Sequence, residues 1–290
     1  MGKSGSLTQL GGATISFFPF SFAMHQVQNI LSLDWLGLDD NGKIGMTGFF
    51  LGLLFGFHIL LAWILSFPSL FLSLSLYFPN TDSVVAVEIS ATKWCLYVAL
   101  MSLFHLLEFF ITARFQSNTV TNDSFLVNHS KQYTIAIMLS SFEYWIESYY
   151  LGSQKHVYFI SVLGIIFVLG GQAIRSLAMF TCGENFSHRI MRVKRRDHRL
   201  VTSGIYAFLR HPSYFGWFYW SIGTQLFLCN PICFCFYLYA AWTFFNVRIL
   251  DEEETLYTFY GTEYAEYCQH TLIGIPLVSS FSPKSIKGTK

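Results

Sequence analysis

This sequence predicts an all-α fold, a polytopic transmembrane helical bundle, and three observations carry the prediction. Hydrophobic residues make up 53% of the chain and charged residues only 12%, against roughly 25% charged in soluble domains. Mean hydropathy is +0.43. Apolar stretches near the ~20 residues needed to cross a hydrocarbon core recur along the chain, separated by short polar connections.

In order, the candidate spans are 12–33, 44–66, 67–78, 84–113, 131–149, 156–180, 207–229 and 231–250, about eight in all. The first is weakened by His25, Gln26 and Gln28, and the third is short and bracketed by Pro68 and Pro79. The polar, glycine-rich stretch Met1 to Gly12 lacks the charged start, apolar core and cleavage site of a secretory signal, so internal spans are expected to direct insertion. The last two spans form a hairpin turning at Asn230-Pro231. Beyond them, Glu252, Leu256, Tyr260, Tyr264 and Tyr267 suggest an amphipathic helix within the 251–282 tail. No linker, low-complexity run or internal repeat divides the chain, so N-terminal spans (1–180) and a C-terminal functional region (181–290) are read as one membrane domain.

Orientation follows from the loop 181–206, where Arg189, Arg192, Lys194, Arg195, Arg196 and Arg199 face only Glu184 and Asp197. Short cytoplasmic loops are enriched in Lys and Arg, so this loop, and the tail one hairpin later, are expected in the cytosol. Lys284, Lys287 and Lys290 fit that placement. The net charge of +1 says little by itself, and no nucleic-acid partner is expected. Cys95, Cys182, Cys229, Cys233, Cys235 and Cys268 contain no CxxC pair and read as reduced, buried thiols, with no metal site.

Chemistry concentrates at the two ends of the last hairpin. Leu209-Arg210-His211-Pro212-Ser213-Tyr214-Phe215-Gly216-Trp217 precedes it and Arg248-Ile249-Leu250-Asp251-Glu252-Glu253 closes it, so both emerge at one membrane face. Plainer readings exist for each part. Arg248 and Glu252 are spaced as an i,i+4 pair, worth about 0.3–0.5 kcal/mol at an exposed interface. His211 and Pro212 suit a helix start, Tyr214 and Trp217 an aromatic belt, and Lys194-Arg195-Arg196 a topology and headgroup-binding feature. Within the spans, His105 and Glu108, and Glu143 and Glu147, each share a helix face. Interhelical bonding explains them as well as function does. His25 and His58 read as structural.

Taken together, His198-Arg199-Leu200-Val201-Thr202-Ser203-Gly204-Ile205-Tyr206, Arg210-His211-Pro212-Ser213-Tyr214-Phe215-Gly216, the run Trp217 to Gln225, and Arg248, Glu252, Glu253, Leu256, Phe259-Tyr260-Gly261 and Glu263-Tyr264 resemble the signature of the isoprenylcysteine carboxyl methyltransferases. The resemblance is close over 181–270, and the segment Asp123 to Ser130 extends it more loosely toward the enzyme of the endoplasmic reticulum. It implies methyl transfer from S-adenosylmethionine to the carboxylate of a C-terminal S-prenylated cysteine on processed CaaX proteins, at an endoplasmic reticulum membrane with the active site facing the cytosol. Prenylated protein C-termini and membrane lipid are the implied partners. By the same resemblance His198, Arg199, Leu200, Val201, Tyr206, Arg210, His211, Tyr214 and Glu252 hold the cofactor, and Arg248 meets the substrate carboxylate as the catalytic and substrate-binding residue. Met191 departs from the family's polar residue near the cofactor.

The short Arg-His-Pro element with its acidic pair also resembles membrane phospholipid N-methyltransferases and, more loosely, membrane sterol reductases, which stand as alternatives. A transporter or channel is a third, though paired inverted repeats are not evident.

Overall fold

The computed structural model describes residues 18–66, 81–128, 130–194, 199–278 and 280, with side chains described from residue 25 onward and, in the helix that begins at Thr81, from residue 85. The described residues form α-helices α1 (Phe18–Ser32), α2 (Asp40–Leu65), α3 (Thr81–Phe115), α4 (Lys131–Leu151), α5 (Tyr158–Cys182), α6 (Pro212–Leu228), α7 (Pro231–Tyr260) and α8 (Thr262–His270). Their only strand-like pairing is an isolated parallel bridge, Leu209 with Leu272. Among the described residues, four helical stretches are long and apolar enough to cross a membrane: Asp40–Leu65, Val85–Phe115, Tyr158–Asn185 and Pro231–Tyr260. The expected short span 67–78 lies outside the described residues, as do His198 and the lysines at 284, 287 and 290.

Helix starts are written locally. Asp39 caps α2 by accepting from the Gly42 N–H at 2.8 Å, and Ser130 caps α4 by accepting from Tyr133 N–H at 3.1 Å. Pro212 and Pro231 occupy first-turn positions of α6 and α7, where a missing N–H costs nothing. At the start of α7 the buried Glu143 of α4 accepts from the backbone N–H groups of Ile232 and Cys233, both at 2.7 Å. That carboxylate satisfies orphan donors and faces the positive end of the helix dipole.

The helices α5 and α6 approach until their backbones touch. A Cβ on Gly164 would lie 2.2 Å from Phe227 N, and one on Gly171 2.6 Å from Gly216 O. Small residues at such contacts let membrane helices pack where no hydrophobic drive separates protein from lipid. Trp220 and Phe104 stack across the adjoining α3 seam with centroids 4.1 Å apart.

One end of the bundle gathers the functional loops. Thr47 of α2 donates to Asn122 at 2.7 Å, and the end of α3 is tied to the segment after α5 by a Gln116 to Phe186 carbonyl bond. The opposite end holds the turn between α4 and α5, where Lys155 joins Glu147 at 2.6 Å and Asn230 at 3.0 Å. The tail differs from the expected amphipathic helix in one respect. Helix α7 continues well past Leu250 to Tyr260, and Gly261, at φ +57°, breaks it before the short α8.

The cysteine expectation is partly corrected. Cys95 and Cys233 are buried, but Cys235 is exposed on α7 and the other three are half-buried. An outward face of a membrane helix meets lipid, so a thiol there avoids water without being covered by protein.

Candidate active site

The described residues between α5 and α6 form short turns over the bundle end instead of a free loop. Asn185 Oδ1 accepts from the Arg199 N–H at 3.2 Å, and the bridge between Leu209 and Leu272 binds its last residues to the segment after α8, Arg210 N–H to Leu272 O at 3.0 Å and Leu272 N–H to Phe208 O at 3.0 Å. The segment, the start of α6 and the end of α7 enclose a narrow cavity of about 110 Å³ whose walls include Arg199, Leu200, Val201, Tyr206, Arg210, His211, Tyr214 and Glu252. Eight of the nine residues assigned to the cofactor by resemblance therefore share one cavity, and His198 is the ninth. Met191 is in its wall as well.

A second cavity, about 670 Å³, adjoins the first and contains Arg248, Arg175, His188 and Trp217. Tyr214 and part of the 186–191 segment line both. Arg248 thus stands beside the narrow cavity and not in it. A third, apolar groove of about 420 Å³ opens on the face between α4 and α7 and shares Trp217 and Phe244 with the second cavity.

Tyr214 couples the first two cavities. Its hydroxyl donates to Glu252 at 2.5 Å and accepts from Arg248 Nε at 2.9 Å. Arg248 and Glu252, spaced i,i+4, are bridged by this phenol. Its ring stacks on His211, planes 5° apart, and packs with Phe218, Phe245 and Ile249 in a buried cluster.

Arg210 and His211 converge on a residue that the expected site omitted. Glu253 accepts from Arg210 Nε at 2.6 Å and lies 3.2 Å from His211 Nε2, with side-chain exposures of 0% for Glu253 and 7% for Arg210. Arg210 also donates to Thr271 O at 2.6 Å and to Ser280 at 2.9 Å. These two residues wall the cavity while clamping α6, α7 and the C-terminal segment together. The signal for Glu253 was its place in the acidic run after Arg248, where Glu252 drew the assignment instead.

Glu108 and Arg175 were missed as a pair. Arg175 donates from Nε to Glu108 Oε1 at 2.5 Å and from Nη2 to Oε2 at 2.8 Å, and His188 Nε2 lies 2.9 Å from the same Oε2. The guanidinium carbon is 4.6 Å from the Trp217 ring centroid and Nη1 reaches Ser213 O at 3.2 Å. A lone arginine in an apolar span was the available signal, because a buried charge requires a partner.

Aromatic side chains supply much of the narrow cavity's remaining wall, Phe259, Tyr260, Tyr264 and Tyr267 among them. Tyr267 OH donates to Tyr206 O at 2.7 Å. Burial, with Cys182 and Glu252 nearby, pushes the Tyr206 phenol well above the ordinary tyrosine range, so it is a neutral donor at physiological pH. One carboxylate, three arginines, several phenols and π faces line the cavity, a set that suits a partly aromatic ligand carrying charges of both signs. Among the described residues no cluster of three or more potential metal ligands occurs.

A sequence model of the isoprenylcysteine carboxyl methyltransferase (ICMT) family matches residues 163–258. Curated relatives named protein-S-isoprenylcysteine O-methyltransferase include those of Tribolium castaneum, 45% identical over 64% of this chain and 66% of its own length, and Homo sapiens, 45% identical over 63% and 64%. The Schizosaccharomyces pombe relative is 40% identical over 63% of this chain and 83% of its own length. The chain spans slightly under two thirds of the length of the animal relatives it matches. A solved structure of the eukaryotic intramembrane Ras methyltransferase ICMT superimposes with a TM-score of 0.64 at 32% identity, covering 91% of this chain and 96% of that one. The chain belongs to the isoprenylcysteine carboxyl methyltransferase family.

Proposed function

We propose that this protein transfers a methyl group from S-adenosylmethionine to the free carboxylate of a C-terminal S-prenylated cysteine, giving a methyl ester. The observation that carries the reading is the position of Arg248, in the wall of a wide cavity that shares Tyr214 with a polar, aromatic cavity and shares Trp217 and Phe244 with an apolar groove. Donor, carboxylate and prenyl chain each have a compartment of suitable chemistry. The donor supplies an electrophilic methyl on a sulfonium: the carboxylate oxygen forms the new O–CH₃ bond as the S–CH₃ bond breaks, leaving a neutral thioether.

The protein's task is positioning. An α-carboxyl has an ordinary pKa near 3.5, so the nucleophile is already ionised at neutral pH and needs no base. Holding it in line with the methyl group can supply roughly 7–11 kcal/mol. Arg248 grips the carboxylate as a planar fork that leaves one oxygen facing the methyl group. Glu252, fixed by Tyr214, accepts from hydroxyl or amino groups of the donor, and Tyr206 donates to it. The prenyl chain enters sideways along Trp217, Phe244 and the groove between α4 and α7, where each CH₂-sized unit gains about 0.8 kcal/mol on burial.

The same reading puts about eight spans in the endoplasmic reticulum membrane, with the site and its basic segment in the cytosol, following the Lys and Arg bias of 181–206. The test is transfer of a labelled methyl group to an S-farnesyl cysteine analogue beside the same analogue bearing a carboxamide. Methylation of the acid alone supports the reading, and equal labelling of both would overturn it.

A further inference from the structure

The Arg248 guanidinium is held along one edge. Nε donates to the Tyr214 hydroxyl at 2.9 Å and Nη2 donates to the His188 carbonyl at 2.5 Å. Each acceptor is itself fixed by a carboxylate, Tyr214 by Glu252 at 2.5 Å and the His188 ring by Glu108 at 2.9 Å. Glu108 is 1% exposed and is locked in turn by the two bonds from Arg175. Contacts therefore link Arg175, Glu108, His188 and Arg248 continuously, with Glu108 buried behind the three residues that line the wide cavity.

From this geometry we infer that His188 is a positioning residue for the acceptor: through Glu108 it pins the segment that holds Arg248, so that the substrate carboxylate is received end-on. A guanidinium has a side edge, Nε with one Nη, and an end edge made by the two Nη groups. The side edge is engaged by Tyr214 and the His188 carbonyl, which leaves the end edge for a carboxylate. Five N–H donors in a rigid fork make the two modes mutually exclusive along one edge. The inference rests on the methyltransferase reading and adds the residue that fixes how the acceptor is gripped.

His188 suits this task because its backbone and side chain point to different partners. Its ring, with the side chain 22% exposed, reaches Glu108 on α3, while its carbonyl faces α7. The neighbouring Phe186 carbonyl accepts from Gln116, the residue after α3, and the Phe186 and His188 rings meet edge to face at 5.1 Å. Losing the ring's bond to Glu108 frees the carbonyl to drift, and displacement of a positioning group by about 1 Å can cost up to a hundred-fold in rate.

The experiment compares the full-length membrane protein with His188→Phe, which keeps an aromatic ring against Phe186 but cannot bond Glu108, and with His188→Gln, whose amide can. Turnover of S-farnesyl cysteine and direct binding of S-adenosylmethionine are measured for each, alone and with Arg248→Lys. The expected result is a ten- to hundred-fold fall in kcat for His188→Phe with donor binding unchanged, recovery to within a few-fold in His188→Gln, and no further loss when His188→Phe is added to Arg248→Lys. Wild-type turnover in His188→Phe would overturn the inference while leaving the methyltransferase reading intact. So would equal impairment of both His188 variants accompanied by weaker donor binding, which marks a merely structural residue. Failure of the wild-type protein to methylate the acid overturns the methyltransferase reading and this inference with it.

Discussion

Tyr214 and Arg248 are joined by a hydrogen bond of 2.9 Å from Nε to the phenolic oxygen, and the same phenol donates to Glu252. One hydroxyl thus sets the distance between the group assigned to the acceptor and the group assigned to the donor. Tyr214→Phe keeps the ring in its buried cluster and removes only this link. A hydrogen bond to a charged group contributes roughly 1.5–3 kcal/mol, so the unfolding midpoint in detergent should fall by a few degrees, and kcat/KM for the prenylcysteine should fall about ten- to hundred-fold as Arg248 and Glu252 lose their common anchor. Unchanged turnover would remove the phenol from the site's wiring.

Replacement of Arg248 by lysine retains the charge and loses the fork. A lysine ammonium cannot bond Tyr214 and the His188 carbonyl and still hold a carboxylate oxygen in a fixed direction. Most activity should disappear, by at least ten-fold, with binding of S-adenosylmethionine preserved, because Arg248 lies in the wider cavity and not among the residues of the narrow one. Near-normal turnover in Arg248→Lys would exclude the proposed role.

Adjacent glutamates should behave differently. Glu253 is fully buried against Arg210, and breaking a buried ion pair by neutralising one partner typically costs about 3–5 kcal/mol. Glu253→Gln is expected to lower thermal stability and expose the C-terminal segment to protease, since Arg210 also holds Thr271 and Ser280. Glu252→Gln should leave stability nearly unchanged and weaken donor binding instead. The reverse pattern would mean that the cofactor and clamp roles are exchanged.

The hairpin, the helix starts at Pro212 and Pro231, and the gathering of Tyr206, Arg210, His211, Tyr214 and Glu252 around one cavity were legible because each has a local cause: a proline, a span length, or a motif carried by the family resemblance. Partnerships between distant segments were not legible. Glu143 looked like an intramembrane ionisable group and is the cap of α7. His105 meets the Phe125 carbonyl at 2.8 Å and Tyr133 at 3.1 Å, and Glu108 meets Arg175 and His188, two residues 67 and 80 positions away. Periodicity assigns such groups a face but no partner, which depends on helix packing. The touching of α5 and α6 at Gly164 and Gly171 escaped for the same reason, because a glycine inside an apolar span marks a close approach without saying to what.

Glycosylation tests the topology. The sequons at Asn122, Asn128 and Asn185 all lie at the bundle end that carries the cavities, with Asn185 in the narrow cavity and Asn128 in the wide one. With that end in the cytosol, none meets the glycosylation machinery. The protein isolated from a eukaryotic membrane should show no glycosidase-sensitive mass shift, and a glycan mapped to any of the three would reverse the orientation.

The final prediction joins pH to the lipid. With a carboxylate nucleophile ionised far below neutrality, no residue must accept a proton in the chemical step, so the single-turnover rate should lack a base-dependent rise between about pH 6 and 8. An amine nucleophile, as in a phospholipid methyltransferase, would gain rate as it deprotonates. Tyr206 sets a limit at the alkaline side. Its folded-state pKa is raised by burial, so the neutral phenol is favoured by folding, and that contribution is fully present below the ordinary tyrosine value near 10 and lost as pH rises beyond it. Activity should therefore be level through neutrality, and the stability contributed by the neutral Tyr206 should be lost only in strong alkali. Shortening the prenyl chain should in parallel weaken turnover steeply, at roughly 0.8 kcal/mol for each CH₂-sized unit removed from the groove. Partitioning contributes to that slope, so rates are compared at equal substrate concentration in the membrane. Single-turnover conditions matter because slow product release can flatten a steady-state profile. A rate that climbs with an apparent pKa near 7, or equal turnover of an unprenylated cysteine at matched membrane concentration, would contradict a carboxylate held by Arg248 with its lipid in the adjoining groove.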